Sequence, residues 1–178
     1  PDNAKQVLLA FRGDVYQGMD VDSFVENDFL QAQKSLRILS GLYGVLRPMD
    51  LMQPYRLEMG TKMQNPRGKN LYEFWGDKIT QILNKDMEKL GHGVLVNLAS
   101  NEYFKAVDTK KLKGHLLTPL FKEEKNGALK TIGIYAKRAR GLMTRFIIRQ
   151  RPQNVEELKT FDQGGYGFSP QHSDEHHY

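Results

Sequence analysis

The pattern of apolar residues in this 178-residue chain predicts a mixed fold, α+β or mixed α/β, in a single domain whose mixed sheet is flanked by helices. Three observations carry that prediction. Continuous apolar runs of strand length stand at residues 7–11 and 93–98. Apolar residues recur at helical spacing over 71–90 and 138–151. The two patterns intermix along the chain with no internal repeat and no linker-like stretch. The domain is expected over residues 1–168, with 169–178 as a flexible tail.

Taken in order, Val7-Leu8-Leu9-Ala10-Phe11 reads as a buried strand closed by Arg12-Gly13-Asp14. From Asn27 a helix is expected, with Phe29, Ala32, Gln33 and Leu36 on one face. Leu36-Arg37-Ile38-Leu39 alternates like a short strand, and Ser40-Gly41-Leu42-Tyr43-Gly44 is a glycine-punctuated turn. Breaks at Arg47-Pro48 and Gln53-Pro54 make 40–68 a long structured connection. Residues 71–90 form the clearest helix: Leu71, Phe74, Trp75, Ile79, Ile82, Leu83 and Met87 share a face, and Gly91-His92-Gly93 ends it. Strand 93–98 runs into Ser100-Asn101-Glu102, an N-cap with an acidic first turn. Segments 115–121 and 130–136 read as strands around a hairpin signal at Asn126-Gly127. A helix over 138–151 stops at Pro152, and a short one over 155–161 precedes the Gly- and His-rich end.

Composition removes several classes. No cysteine is present, which excludes disulfide scaffolds, thiolate metal sites and Cys nucleophiles and fits a reducing compartment. No apolar run approaches the ~20 residues of a membrane span, and Pro1-Asp2-Asn3-Ala4-Lys5 does not resemble a secretory signal. The chain starts at Pro1 almost directly on an apolar run, so it reads as a fragment. Net charge is +5, unevenly placed: residues 101–151 hold 13 Lys/Arg against 4 Asp/Glu, whereas the remainder is net acidic. A positive field from one continuous stretch is an argument for a polyanionic partner.

Its centre is the helix from Lys137 to Arg151, with six cations and no carboxylate. Leu142, Met143, Phe146 and Ile147 form its expected core stripe; Arg138, Arg145 and Arg149 follow one edge, Arg140 and Arg151 the other. Such a row of charges is tolerated when it is solvated, paired to distant acids or facing phosphates, and the planar guanidinium suits the last role. A second candidate is a small-anion site at Asn97, Ser100, Glu102, Lys105 and Lys137. There a helix start would hold the anion, with Glu102 as general base and Lys105 as electrostatic stabiliser. Ser40, Gly41 and Gly44 mark either a plain tight turn or a glycine hairpin presenting amides to a phosphate. The tail His172, Asp174, Glu175, His176 and His177 contains ligand types but has the composition of a loose terminus. No metal site or cofactor is assigned, and no phosphate-loop, dinucleotide or Ser-His-Asp pattern is present.

Five stretches together resemble the YaaA family of bacterial peroxide-stress proteins: Phe11-Arg12-Gly13-Asp14-Val15-Tyr16; Leu36 through Pro48; Pro54-Tyr55-Arg56-Leu57-Glu58-Met59-Gly60; Asn97 through Lys105; and Tyr135 through Met143. The resemblance runs from residue 7 to about 168. The family's N-terminal Ser-Pro-Ala-Lys-Thr segment and its closing strand have no counterpart here. What the resemblance implies is a cytoplasmic DNA-binding protein of the hydrogen peroxide response that keeps unincorporated iron low. It further implies the family's own fold, a positively charged cleft and a helix-hairpin-helix element. On this sequence the hairpin falls at Ser40, Gly41 and Gly44, with two residues rather than one between the glycines, and the cleft cations fall at Arg47, Arg56, Lys105, Lys137, Arg138, Arg140 and Arg145; Arg149 joins them as a DNA-contact candidate from the cation row of the last long helix. The expectation is a non-enzymatic monomer that contacts duplex or four-way-junction DNA with weak sequence preference, has an indirect link to iron and does not contact membranes. The alternative is an enzyme acting on a nucleotide or a small phosphorylated metabolite.

Overall fold

A computed structural model describes residues 2–178. The chain opens with β1 (Lys5–Gln6) and turns at once into α1 (Val7–Ala10). Here the expected strand is corrected. Leu8, Leu9 and Ala10 are strong helix formers, and the amides of Val7 and Leu8 donate to the carbonyls of Asp50 (2.9 Å) and Pro48 (3.0 Å), which satisfies a first turn. Then come α2 (Asp14–Met19) and α3 (Glu26–Ser35), the latter as expected. β2 (Ile38–Ser40) and β3 (Gly44–Leu46) form an antiparallel hairpin, and β4 (Leu51–Met52) pairs back on β1. The long helix expected over 71–90 is two helices, α4 (Leu71–Trp75) and α5 (Lys78–Leu90). The break falls at Gly76, whose φ of 53° and ψ of −123° suit only glycine.

β5 (Val94–Val96) leads into α6 (Asn101–Phe104), where Ser100 caps the helix by accepting from the Tyr103 amide, as read from the sequence. β6 (His115–Leu117) pairs with β5. The Asn126-Gly127 turn joins β7 (Glu123–Lys125) to β8 (Ala128–Lys130), with both turn residues at positive φ. The arms expected at 115–121 and 130–136 are corrected: the turn joins 123–125 to 128–130, and of 130–136 only Lys130 lies in a strand, because α7 (Gly133–Gln150) starts earlier than its cation run implied. α7 stops at Arg151, left-handed at φ 53°, before Pro152. α8 (Val155–Leu158) and the hairpin of β9 (Asp162–Gln163) and β10 (Tyr166–Gly167) follow. Segment 169–178, read from its composition as a flexible tail, hydrogen-bonds to residues 118–120: Thr118 donates to the His176 carbonyl at 2.7 Å and Leu120 to that of Tyr178 at 2.6 Å.

The class is mixed α and β, as expected, but no single mixed sheet forms: among the described residues the strands pair two by two. Strands of two or three residues cannot carry a wide ladder. The chain divides into two compact units, each discontinuous in sequence: residues through Ala10 with Leu36–Leu116, and Phe11–Ser35 with Leu117–Tyr178. The first is built on Met59, Leu71, Ile79, Leu83, Ala106 and Val107, with Leu39, Val45, Trp75 and Leu95 packed against them. In the second, α2 crosses α7 backbone to backbone. A Cβ at Gly18 would lie 2.1 Å from the Arg138 carbonyl oxygen, and one at Gly141 would lie 2.0 Å from that of Val15. This approach moves the buried face of α7 onto Ala136, Ala139, Gly141, Met143, Phe146 and Ile148, while Leu142 and Ile147 of the expected stripe stay half-buried. An aromatic cluster completes the unit, Phe121 and Phe146 both meeting Phe161 edge-on.

Candidate nucleic-acid interface

Along α7 the expected cations divide by what holds them. Arg145 Nη1 donates to Asp20 Oδ2 at 3.1 Å. Arg149 Nε donates to Asp28 Oδ2 at 3.2 Å, its Nη2 donates to the carbonyl and hydroxyl of Ser23 at 2.7 and 2.9 Å, and its guanidinium lies 5.5 Å from the Phe24 ring centre. These two bind α7 to α3 and to the turn between α2 and α3. Lys137 Nζ stands 3.9 Å from Asp14 Oδ2, both groups exposed, a contact worth little in water. Arg138 is exposed and Arg140 half-buried, and neither side chain has a hydrogen-bond or ion-pair partner among the described residues. Burial alone lowers the Arg140 pKa, with no carboxylate offsetting it.

The asymmetry gives a direct test of which arginines are structural. Arg149→Glu sets a carboxylate against buried Asp28 and should destabilise the fold by roughly 2 kcal/mol, the scale of lost charge-assisted hydrogen bonds. Arg138→Glu should leave the melting temperature within about 2 °C, since surface substitutions usually fall within about 0.5 kcal/mol. Thermal melts of both variants by circular dichroism check the pair.

The first unit holds the remaining expected cations. Arg47 Nη2 donates to Asp86 Oδ1 at 2.8 Å, and Arg37 Nε donates to the other oxygen of the same carboxylate. Burial pushes the Asp86 pKa up, but the hydrogen bonds and charges of Arg37 and Arg47 outweigh it and hold the carboxyl below its ordinary range. Arg56 is exposed. Lys105 is exposed too, its ammonium 5.0 Å from the Tyr72 ring centre.

The helix-hairpin-helix expected at Ser40, Gly41 and Gly44 is corrected: these residues join two strands. Ile38, Leu39, Val45 and Leu46 alternate between core and half-buried positions, the period of a strand pair. Ser40 is fully buried; its hydroxyl lies 2.6 Å from that of Tyr55 and accepts from the Tyr43 amide at 3.0 Å. The Gly41 carbonyl accepts from the Trp75 indole at 3.0 Å. Gly44 combines φ 75° with a Trp75 ring atom 2.8 Å from where its Cβ would stand. The glycines therefore seat Trp75.

Most members of the small-anion alternative have local partners. Asn97 Oδ1 accepts from the Ala99 amide at 3.1 Å, and Ser100 Oγ caps α6. Glu102 Oε1 accepts from the Gly60 amide at 2.8 Å, and its carbonyl accepts from the Tyr72 hydroxyl at 3.0 Å. Burial and the Glu102 charge raise the Tyr72 pKa. Lys137 belongs to the other unit. In the tail, His177 Nδ1 lies 3.0 Å from Asp174 Oδ1, and among the described residues no group of three or more His, Asp and Glu gathers for a metal ion. Sequence reading missed Asp86, which sits in no charge run or motif and whose partners Arg37 and Arg47 lie 49 and 39 residues away along the chain.

Fold and site together define a mixed α/β protein that carries unneutralised cations on one helix. Among the described residues no helix is long and apolar enough to cross a membrane. Residues 1–172 match the family described as peroxide stress protein YaaA, and the chain belongs to that family. It is 62% identical over 168 residues to a UPF0246 protein of Idiomarina loihiensis, covering 94% of this chain and 65% of that protein. A UPF0246 protein of Shewanella baltica is 58% identical over 172 residues, 97% and 67% of the two chains, and one of Alteromonas mediterranea is 60% identical over 173, again 97% and 67%. The chain thus spans about two thirds of the length of these curated relatives.

Proposed function

We propose that this chain is part of a cytoplasmic DNA-binding protein of the peroxide response, whose first two turns of α7 meet the phosphate backbone through Lys137, Arg138 and Arg140. The observation that carries the reading is Arg140: a half-buried guanidinium that has lost hydration and gained no carboxylate. Such a group is stabilised by an incoming anion, and a phosphate takes its N–H groups in parallel pairs. Arg138 and Lys137 stand within one turn of it. Arg56 and Lys105 of the first unit, both exposed, are further candidates, whereas Arg47, Arg145 and Arg149 are engaged by acids of their own unit. Family membership supports the peroxide-response part. The iron-limiting part rests on that membership alone, and chelatable iron measured in a peroxide-stressed deletion strain tests it: an unchanged level removes it.

Fluorescence anisotropy with duplex and four-way-junction DNA at two salt concentrations tests the contact. Binding should weaken steeply with salt, because neutralised phosphates release counterions. Lys137→Glu/Arg138→Glu should reduce affinity at least tenfold and lower the salt slope by about 2, one per lost contact. Arg140→Met, which keeps the buried stem, should act in the same direction. Unchanged affinity in both variants would remove α7 from the interface.

A further inference from the structure

From Lys125 to Val155 the chain holds no Asp or Glu, and α7 opens inside that stretch with Gly133, Ile134 and Tyr135. Ile134 is 60% exposed and Tyr135 54%. The face that this end of α7 turns to the core is made by Ala136 and Ala139 instead. Tyr135 makes no hydrogen bond and no ring contact among the described residues. Two other aromatics near cations in the sequence, Phe104 and Phe121, are packed into the cores of their units. On the helix surface Ile134 neighbours Lys137 and Arg138, three and four residues on, and Tyr135 neighbours Arg138. An aliphatic side chain and a flat ring thus stand side by side in water. Their neighbours are Arg138, which has no acid partner, and Lys137, whose only one is exposed Asp14 at 3.9 Å.

Charge and size decide what such a surface takes. Val25 and Leu30 are equally exposed, but they stand among Asp22, Glu26 and Asp28, which repel a polyanion. A lipid surface needs an apolar face running along the helix, whereas Leu142, two turns beyond Tyr135, is already half-buried. A DNA duplex has the matching order, with apolar bases in the middle and phosphates on either side. We propose that Ile134 and Tyr135 form a wedge that enters between two stacked bases, partly unstacking that step and bending the duplex, while Lys137 and Arg138 hold the flanking phosphates. Apolar wedges of this kind offset the lost base stacking through the wider contact that a bent duplex allows. The wedge rests on the DNA contact proposed above and adds to it an unstacking that phosphate contacts alone do not bring about.

The test is a short G·C-rich duplex with one central TA step, since pyrimidine–purine steps unstack most readily. It carries 2-aminopurine as the purine of that step and a donor and acceptor dye at its ends. Saturating protein should raise the 2-aminopurine fluorescence at least twofold and increase energy transfer between the ends. Ile134→Ala/Tyr135→Ala should abolish both signals and bind at least tenfold more weakly. Its salt slope should stay that of wild type because no cation is removed, and its melting temperature should hold because both side chains are exposed. Tyr135→Phe keeps the ring and should behave as wild type. Wild-type binding without a rise in fluorescence, or an alanine pair that binds and brightens like wild type, overturns the wedge and leaves the phosphate contact standing. That contact is read separately, by Lys137→Glu/Arg138→Glu: unchanged affinity there removes it and the wedge with it. An acidic peptide carrying one tryptophan is the competing partner. If the alanine pair weakens the peptide and not the DNA, the surface belongs to a protein and the wedge is overturned.

Discussion

Asp86→Ala is expected to cost about 3–5 kcal/mol of folding stability, the scale of removing one partner from a buried ion pair. The Asp86 and Arg37 side chains are only 12% and 10% exposed, while Arg47 at 43% can reach water. Truncating Asp86 therefore takes the carboxylate away from the buried Arg37 guanidinium, whose Nη1 still donates to the Leu36 carbonyl at 2.7 Å. Urea denaturation at neutral pH reads the loss, and Arg37→Met added to Asp86→Ala should recover part of it by removing a buried charge that has lost the Asp86 carboxylate. If the double variant were no more stable than the single, the loss would come from packing rather than charge. The pH dependence has a definite sign. Asp86 is held below its unfolded value, so its contribution is fully present above the unfolded pKa of about 3.9. It is lost as pH falls through the depressed folded value. Asp86→Asn should be much less stable than wild type at pH 7, and the gap should narrow in the acid range below pH 4.

Gly141→Ala, in the other unit, should destabilise by about 1–3 kcal/mol or more, the cost of overpacking. The new methyl would meet the Val15 carbonyl oxygen at 2.0 Å and the Met19 amide nitrogen at 2.6 Å. Both are backbone atoms, so no rotamer change clears them and α2 must move off α7. Gly18→Ala should act alike, against the Arg138 carbonyl. Gly133→Ala is the control: nothing lies within 4 Å of its Cβ position. Near the start of α7 it should be neutral or stabilising by up to about 1 kcal/mol, since it narrows the unfolded ensemble. Thermal melts of the three variants order them; a Gly141→Ala protein as stable as Gly133→Ala would mean the two helices do not pack so closely.

Local signals in the sequence were sufficient for α3, for the α6 cap at Ser100, for the Asn126-Gly127 hairpin and for the end of α7 at Pro152. Each depends on chemistry within four or five residues: a side-chain oxygen near free amides, two positive φ angles, a missing N–H. The family, too, was legible from strings of consecutive residues.

Tertiary structure decided the rest. Residues 7–10 are helical because carbonyls from Pro48 and Asp50 meet their amides, a pairing invisible from apolar content. Ser40, Gly41 and Gly44 became a strand hairpin because Tyr55 and Trp75, 15 and 34 residues distant from the groups they bond, fill the space around it. The cation row on α7 showed that charge was present. Only acids more than 100 residues earlier separated Arg145 and Arg149, which are held, from Arg138 and Arg140, which are not. The two units interleave along the chain, so no linker composition marks where one ends. The common reason is distance along the chain. A motif records what a residue can do with its neighbours in sequence, whereas desolvation and long-range pairing, which decide whether a charge is spent or available, exist only once the chain has folded.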